Sequence, residues 1–562
     1  MKPFFSRWLC VFLLALPLAA TLRGAGERAP AEAFSVRAHG ATGDGRTLDT
    51  AAVNRAIAAA AAAGGGTVEF PAGEYLCHSI RLQSNVTLRL AAGATIVAAE
   101  PTPEAGYDRP EPNAWDMYQD FGHSHFRNSL IWGERLENVA IVGPGRIYGR
   151  GLSRGNSAVA LPVGALIEHP ADNPPDVLEA DGVFPIEPRP DLTPGPFGYP
   201  NARDRKPDGV GNKAIALSEC RNVTLRDFTI LHGGHFGILA TGVDNLTIDN
   251  LLIDTNRDGI DIDACSNVRI SNTSVNSPWD DAICLKSSHA LGVKRMTENV
   301  TIVNCFVSGY DEGTLLDGTR TRKGRQRGGA MGRIKFGTEA GGGFRNITIA
   351  NCVFDYCRGI ALEQVDGGVL EDVAISNITM RDVQNAPIFI RLGARLRAPD
   401  TTAPGKVRRI SIANVVASNV APEHGILIAG LPGHPIEDVV LSNLQIHYRG
   451  GGTAEQAARE VPEYEKSYPD PYNFGTMPSW GIFARHVAGL QVRDVDLRLM
   501  SAEARPAVVL DDVVGGRLDN VQLATEPDRK EWSLRDVRGV SVRDATGLAD
   551  GRVEVGAERV RR

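Results

Sequence analysis

A six-residue pattern, Asn-Val-(Thr/Arg)-(Ile/Leu)-x-(Asn/Asp), returns again and again along this chain. It reads Asn222-Val-Thr-Leu-Arg-Asp, then Asn245-Leu-Thr-Ile-Asp-Asn, Asn267-Val-Arg-Ile-Ser-Asn, Asn299-Val-Thr-Ile-Val-Asn and Asn346-Ile-Thr-Ile-Ala-Asn. Variants begin at Asp372, Arg409 and Asp438, and shorter echoes at Asn85 and Asn138. Where nothing is inserted the step is 23 residues (Asn222 to Asn245) and then 22 (Asn245 to Asn267). A fixed period of this size marks a solenoid, in which each unit buries its apolar face only against its neighbours. The units are short, β-rich and cornered by Gly, Asn and Asp. They predict an all-β fold, a right-handed single-stranded parallel β-helix. A solenoid core grows along one axis, so residues 26–562 are expected to form one domain despite their number.

Before the repeat, Lys2 and Arg7 precede an apolar run from Trp8 to Ala20 that is short for a membrane span. Residues 1–25 are expected to be a secretory signal, leaving a secreted or periplasmic chain with no membrane contact after cleavage. Thr47 to Ala63 reads as an N-terminal capping helix, with Asp49 or Thr50 as cap and Gly64-Gly65-Gly66 as stop. Such a helix covers the open sheet edge at the solenoid's end. The repeat lapses near 100–125, 151–211, 310–343 and 448–480, and these stretches are expected to be loop insertions, the first two rimming a cleft. The final coils, to about Val555, are degenerate and are expected to seal the other end. With 67 acidic against 60 basic residues and no face-long basic block, nucleic acid is excluded as a partner. Seven cysteines remain beyond Cys10, an odd number that gives no disulfide framework. Those at Cys220, Cys265, Cys305 and Cys352 sit beside the repeat element and fit an apolar interior; Cys352 and Cys357 are close enough to pair.

Chemistry concentrates between Asn256 and Ser287, where Asp258, Asp261, Asp263, Asp280 and Asp281 fall among short alternating strands and Lys286 follows. Carboxylates are seldom buried alone, so a shared cleft is the expected setting. Asp258 and Asp280 are 22 positions apart, one coil, and adjacent coils lie about 4.8 Å apart. Asp280 and Asp281 reach one cleft only if the backbone turns at Pro278-Trp279. Asp261 and Asp263 also fit as corner residues that satisfy turns. One coil earlier, His235 in His232-Gly-Gly-His235 is a candidate substrate contact; as a metal pair the motif lacks helical spacing and a third ligand. Arg320, Arg322, Lys323, Arg325 and Arg327 form a positive run that reads either as a solvated loop or as guanidinium forks for an acidic sugar. Tyr468, Tyr472 and Trp480 either stack on sugars or pack their own loop.

At these residues the chain resembles glycoside hydrolase family 28, the polygalacturonases and their relatives. Asn256-Arg257-Asp258 matches the family's Asn-x-Asp motif and Asp280-Asp281 its Asp-Asp motif. The likeness runs from about Phe34 to about Arg493. The entry Gly65-Gly66-Thr-Val-Glu-Phe-Pro-Ala-Gly also resembles the start of pectin-degrading, pectin lyase-like β-helices. The resemblance implies an inverting hydrolase of a pectic or related acidic polysaccharide, monomeric and without cofactor or metal. In it Asp280 is the general acid, and Asp258 and Asp281 hold and activate water. Crowding is expected to raise the pKa of that acid, so that one carboxyl stays protonated. Lys286 would bind substrate. Arg333-Ile-Lys335 looks like the family's Arg-x-Lys motif but comes one coil early. On the family register Gly332 stands at its histidine position, and Ala361 and Glu363 at its Arg and Lys positions, leaving Arg333 or Lys335 to substitute from the neighbouring coil. The same Asp set would also suit a Ca²⁺-dependent polysaccharide lyase, and the missing motif residues a non-catalytic carbohydrate-binding β-helix.

Overall fold

The computed structural model describes residues 33–119, 121–153, 209–322, 329–526 and 529–562. The expected signal segment and most of the second and third insertions' tips, with Lys323, Arg325 and Arg327, lie outside them. Each coil carries three strands. Phe236–Thr241 (β1), Asp244–Asp249 and Leu252–Asp254 pair in parallel with Asp258–Asp263 (β2), Ser266–Ser271 and Ser274–Asn276 of the next coil. The first face continues through Ile283–Ser287 (β3), Ile334–Ala340 (β4), Ile360–Gln364 (β5) and Ile388–Leu392 (β6). The result is the right-handed parallel β-helix that the period predicts.

The repeat is legible because its first and sixth positions are both left-handed corners. Asn245 and Asn250 have φ of +58° and +53°, and Asn299 and Asn304 both +57°. Asn and Asp tolerate that conformation better than other non-glycine residues. Their side chains then bond from coil to coil: Asn245 to Asn222, Asn299 to Asn267 and Asn346 to Asn299 along one corner, Asn304 to Asn272 and Asn351 to Asn304 along the other.

Inward-facing Ile238, Ile260, Ile283, Ile334 and Ile360 stack as one column of the core. All seven cysteines from Cys77 to Cys357 are buried and free, so Cys352 and Cys357 do not pair. The neighbouring outward column on the same face runs Trp132, Ala216, Leu239, Asp261, Cys284, Lys335, Ala361, Phe389, Leu427, Phe483. Charge occupies only its middle.

The capping helix α1 spans Thr50–Ala62 rather than starting at Thr47, because Asp44–Leu48 is drawn into a strand beside Gly73–Cys77. Asp49 stands at its N-terminus but makes no side-chain cap. Its carboxylate instead accepts the amides of Thr42 and Gly43, holding the Gly-rich turn. The third insertion stops short of 343, since β4 is a full coil strand. At the far end Gly551–Val555 reverses and pairs antiparallel with Trp532–Ala545, closing the edge with a hairpin rather than another coil.

Asn299→Ala removes two ladder bonds and puts a Cβ-bearing residue without local hydrogen bonding at φ +57°, which is expected to cost about 1–3 kcal/mol. Asn299→Gly relieves the backbone part and should cost less. Thermal or urea midpoints of the two variants would reveal the ordering; equal losses would show that the corner conformation contributes nothing.

Candidate active site

Four successive coils of the first face build the site. β2 supplies Asp258, Asp261 and Asp263; the turn into β3 supplies Asp280 and Asp281, and β3 itself Lys286. Arg333 precedes β4, which supplies Lys335 and Glu339, and Glu363 follows on β5. The turn at Pro278-Trp279 does let both neighbouring aspartates face one place. The Trp279 amide bonds back to Asn256 and the Gly332 amide to the Asp280 carbonyl. The Asp281 amide donates to the Asp258 carboxylate at 3.3 Å. Oxygens of Asp258, Asp280 and Asp281 lie within 4.8 Å of one another.

The three carboxyls differ sharply. Asp281 is fully buried, yet Lys335 Nζ at 2.5 Å and Arg333 Nε at 2.8 Å each occupy one of its oxygens. Burial would raise its pKa, but those two cations outweigh it and hold the carboxyl well below the usual range. Asp258 is pushed the other way by burial and then by crowding from Asp261 and Asp280, with Lys286 opposing. Burial and crowding thus make Asp258 the carboxyl with the raised proton affinity. Asp280 keeps 17 % of its side chain exposed and takes an ion pair from Arg257 at 2.6 Å. Among the three it is the one open to a ligand.

A second charged layer adjoins this one. His123, from the first insertion, meets Asp261 at 3.1 Å, and Lys286 stands 3.5 Å from Asp261 and 3.4 Å from Glu339. Arg397 closes the chain at 2.5 Å from Glu339. Sequence reading had no hold on His123, because a loop 138 residues upstream delivers it. Its Nδ1 is buried without a hydrogen-bond partner. Asp263 behaves as the corner residue expected, accepting the Ser288 amide and hydroxyl, whereas Asp261 belongs to the site.

Gly332 has φ +67°, and a Cβ there would run into the Ser308 carbonyl, so no side chain fits where the family carries histidine. Arg333 and Lys335 do reach the site from the coil after Asp281. Glu363 lies beyond them, buried, 3.4 Å from Arg333. Burial pushes its carboxyl up to about 7 against the pull of Arg333 and Lys335. His235 stacks on Phe236 at 4.3 Å, in the wall one coil before Asp258. His232 pairs with Glu312, away from any metal arrangement with His235. Arg322 pairs with Asp382 and covers Tyr356, a structural role. Of the late aromatics, Tyr468 meets Lys335 at 3.4 Å, Tyr472 lies under Arg358 and Trp480 is core.

Two groups have metal-like grouping, Asp258 with Asp280 and Asp281, and Asp258 with Asp261 and His123. Calcium takes six to eight oxygens. Here it would face Lys286, Lys335 and Arg333, whose charges already neutralise the acids. The donor set does not fit a calcium site.

Residues 33–100 match the family model described as rhamnogalacturonase A/epimerase, pectate lyase-like, and residues 208–325 the model for a right handed beta helix region. An exo-poly-alpha-D-galacturonosidase of Dickeya chrysanthemi is 24% identical over 306 residues, 52% of this chain and 48% of that protein. A probable polygalacturonase of Vitis vinifera is 23% identical over 443 residues, 74% of this chain and 76% of that one. The chain thus spans about half the length of the first relative and three quarters of the second. Two solved structures share the fold. A family 28 exopolygalacturonase of Yersinia enterocolitica has TM-score 0.58 at 19% identity, covering 92% of this chain and 80% of its own. A hyperthermoactive exopolygalacturonase of Thermotoga maritima has TM-score 0.52 at 20% identity, covering 75% and 88%.

Because the folded state raises the Glu363 pKa, its contribution to stability is fully present below its ordinary value near 4.5 and is lost as pH rises through about 7. Relative to Glu363→Gln, the natural chain should therefore lose up to about 3 kcal/mol between pH 5 and pH 8. Thermal midpoints of both proteins at the two pH values give the answer; a difference that does not change with pH contradicts the assignment.

Proposed function

We propose that this polygalacturonase-like chain of glycoside hydrolase family 28 is a secreted or periplasmic enzyme that hydrolyses glycosidic bonds in a pectic or related acidic polysaccharide, with inversion. The observation that carries the reading is the grouping of Asp258, Asp280 and Asp281 from adjacent coils within 4.8 Å, each in a different electrostatic setting. Acetal hydrolysis needs an acid at the leaving oxygen and a base on water. Asp280, the exposed member, gives the leaving oxygen a proton that Asp258, whose oxygen lies within 4.8 Å, can pass to it. Asp258, left as carboxylate, takes the proton of the attacking water. Asp281 stays anionic beside them and favours the positive charge that develops at the anomeric carbon.

The oxygens stand closer than the roughly 6.5–9.5 Å usual between inverting carboxyl groups. Direct attack by a carboxylate is nonetheless disfavoured. Both oxygens of Asp281 are occupied by cations, and Asp258 serves as the base on water. Water is the remaining nucleophile. Lys286, Lys335 and Arg333 neutralise the clustered acids, so that an acidic glycan meets no excess of negative charge, and the basic and apolar leader supports export. The galacturonosidase and polygalacturonase names of the relatives support the substrate class.

Asp280→Asn is expected to lower reducing-sugar release from homogalacturonan or rhamnogalacturonan fractions by about 10²–10⁴-fold with an unchanged circular dichroism spectrum. NMR of the first product should show the inverted anomer. Full activity in the variant would remove Asp280 as the acid, and a retained anomer would mean that a carboxylate attacks carbon.

A further inference from the structure

The outward column of the first face is apolar at both ends and charged only at Asp261 and Lys335, with Cys284 between them. Insertions cover both apolar ends. On one side Phe126 of the first insertion packs on Ala216, Phe236 and Leu239, and His123 lies edge-on against Phe236 at 4.8 Å. On the other, Val461, Phe474 and Met477 of the late insertion form a small second core with Ala361, Phe389, Leu427 and Phe483. That insertion is fastened by buried cations. Arg391 donates to the carbonyls of Glu463 and Tyr464, Arg485 to those of Val461 and Pro462, and Arg358 pairs with Asp470 at 2.5 Å. Tyr468 is thereby held over Lys335, immediately beside Asp281.

From these placements we infer that the site is a pocket closed at both ends of the solenoid axis, so that the enzyme acts at glycan ends or on short oligosaccharides rather than along the middle of a polymer. The inference rests on the hydrolase reading above for its chemistry, but the closure stands on the packing. The interval between Leu239 and Ala361 is four coil steps, roughly 19 Å at about 4.8 Å each. Tyr468 stands over Lys335 and His123 beside Asp261, so a chain lying along the axis has only the two coil steps between them, roughly 10 Å at about 4.8 Å each, before it meets a wall. Both walls are packed and ion-paired, so lengthening the glycan adds no protein contact.

The test uses oligogalacturonides and mixed pectic oligomers of two to eight units. Calorimetry on Asp280→Asn should show affinity rising to a trimer and then level within about twofold. A gain of threefold or more per added unit up to the hexamer would mean an open groove and overturn the inference. In parallel, the natural enzyme acting on a polymer should release mono- to trisaccharides from the first turnovers, with viscosity falling slowly. Early release of long fragments overturns the inference equally. If no glycan is cleaved at all, the hydrolase reading fails, and the length series alone still decides whether the pocket is closed.

Discussion

Stacking at a fixed spacing is the constraint on which the rest of this molecule depends. Each side chain on a coil has a neighbour directly above and below at about 4.8 Å, so every position must tolerate what its counterpart on the next coil is. Corners meet the requirement with bonded asparagines and the interior with aliphatic columns. The outer face meets it differently. Asp281 cannot stand beside Asp258 and Asp280 as a third like charge unless the following coil supplies cations, and Arg333 and Lys335 do so. The same alternation continues through Asp261, Lys286, Glu339 and Arg397. Buried ion pairs of this kind add little net stability, because desolvation offsets attraction. What they set is protonation: one carboxyl held anionic, one raised, one open.

Much of this could be read from the amino acids, and the reason is local. From Asn222 to Asn443 the residues at positions one and six of the repeat, nearly all Asn or Asp, are corners with φ between +52° and +70°, so the fold's period is written in residues that need no distant partner. The spacing of Asp258 and Asp280 equals that period, which is why their meeting was foreseeable. The alternation of a strand, by contrast, tells which side a residue faces but not what covers that side. Asp261 fitted a turn as well as it fitted the site, and only His123 and Lys286 decide between them. His123 itself arrives from an insertion with no repeat to index it. The start of α1 was misplaced for a similar reason, since Thr47 and Leu48 have a strand partner outside their own window.

The insertions turn a generic solenoid face into a particular one. A bare β-helix offers a groove along its length. Here one outward column is apolar where Phe126 and the late loop pack on it, while charged residues of the same face, Asp261, Lys335, Arg391 and Arg485, bond to insertion residues. The late loop is irregular backbone held near charge, and its carbonyls need donors; Arg391 and Arg485 meet that need from the coils beneath. Gly332 and Glu363 lie within this wall, and Arg333 and Lys335 are the groups that oppose Asp281.

The central claim is that neighbouring coils give the aspartates unequal proton affinity, raised at Asp258 and lowered at Asp281. Infrared difference spectroscopy at pH 7 reads it directly, by comparing the natural chain with Asp258→Asn and with Asp281→Asn. The account predicts that a protonated-carboxyl band disappears in the first variant and that only a carboxylate band is lost in the second. A protonated band lost with Asp281 and unaffected at Asp258 would contradict it.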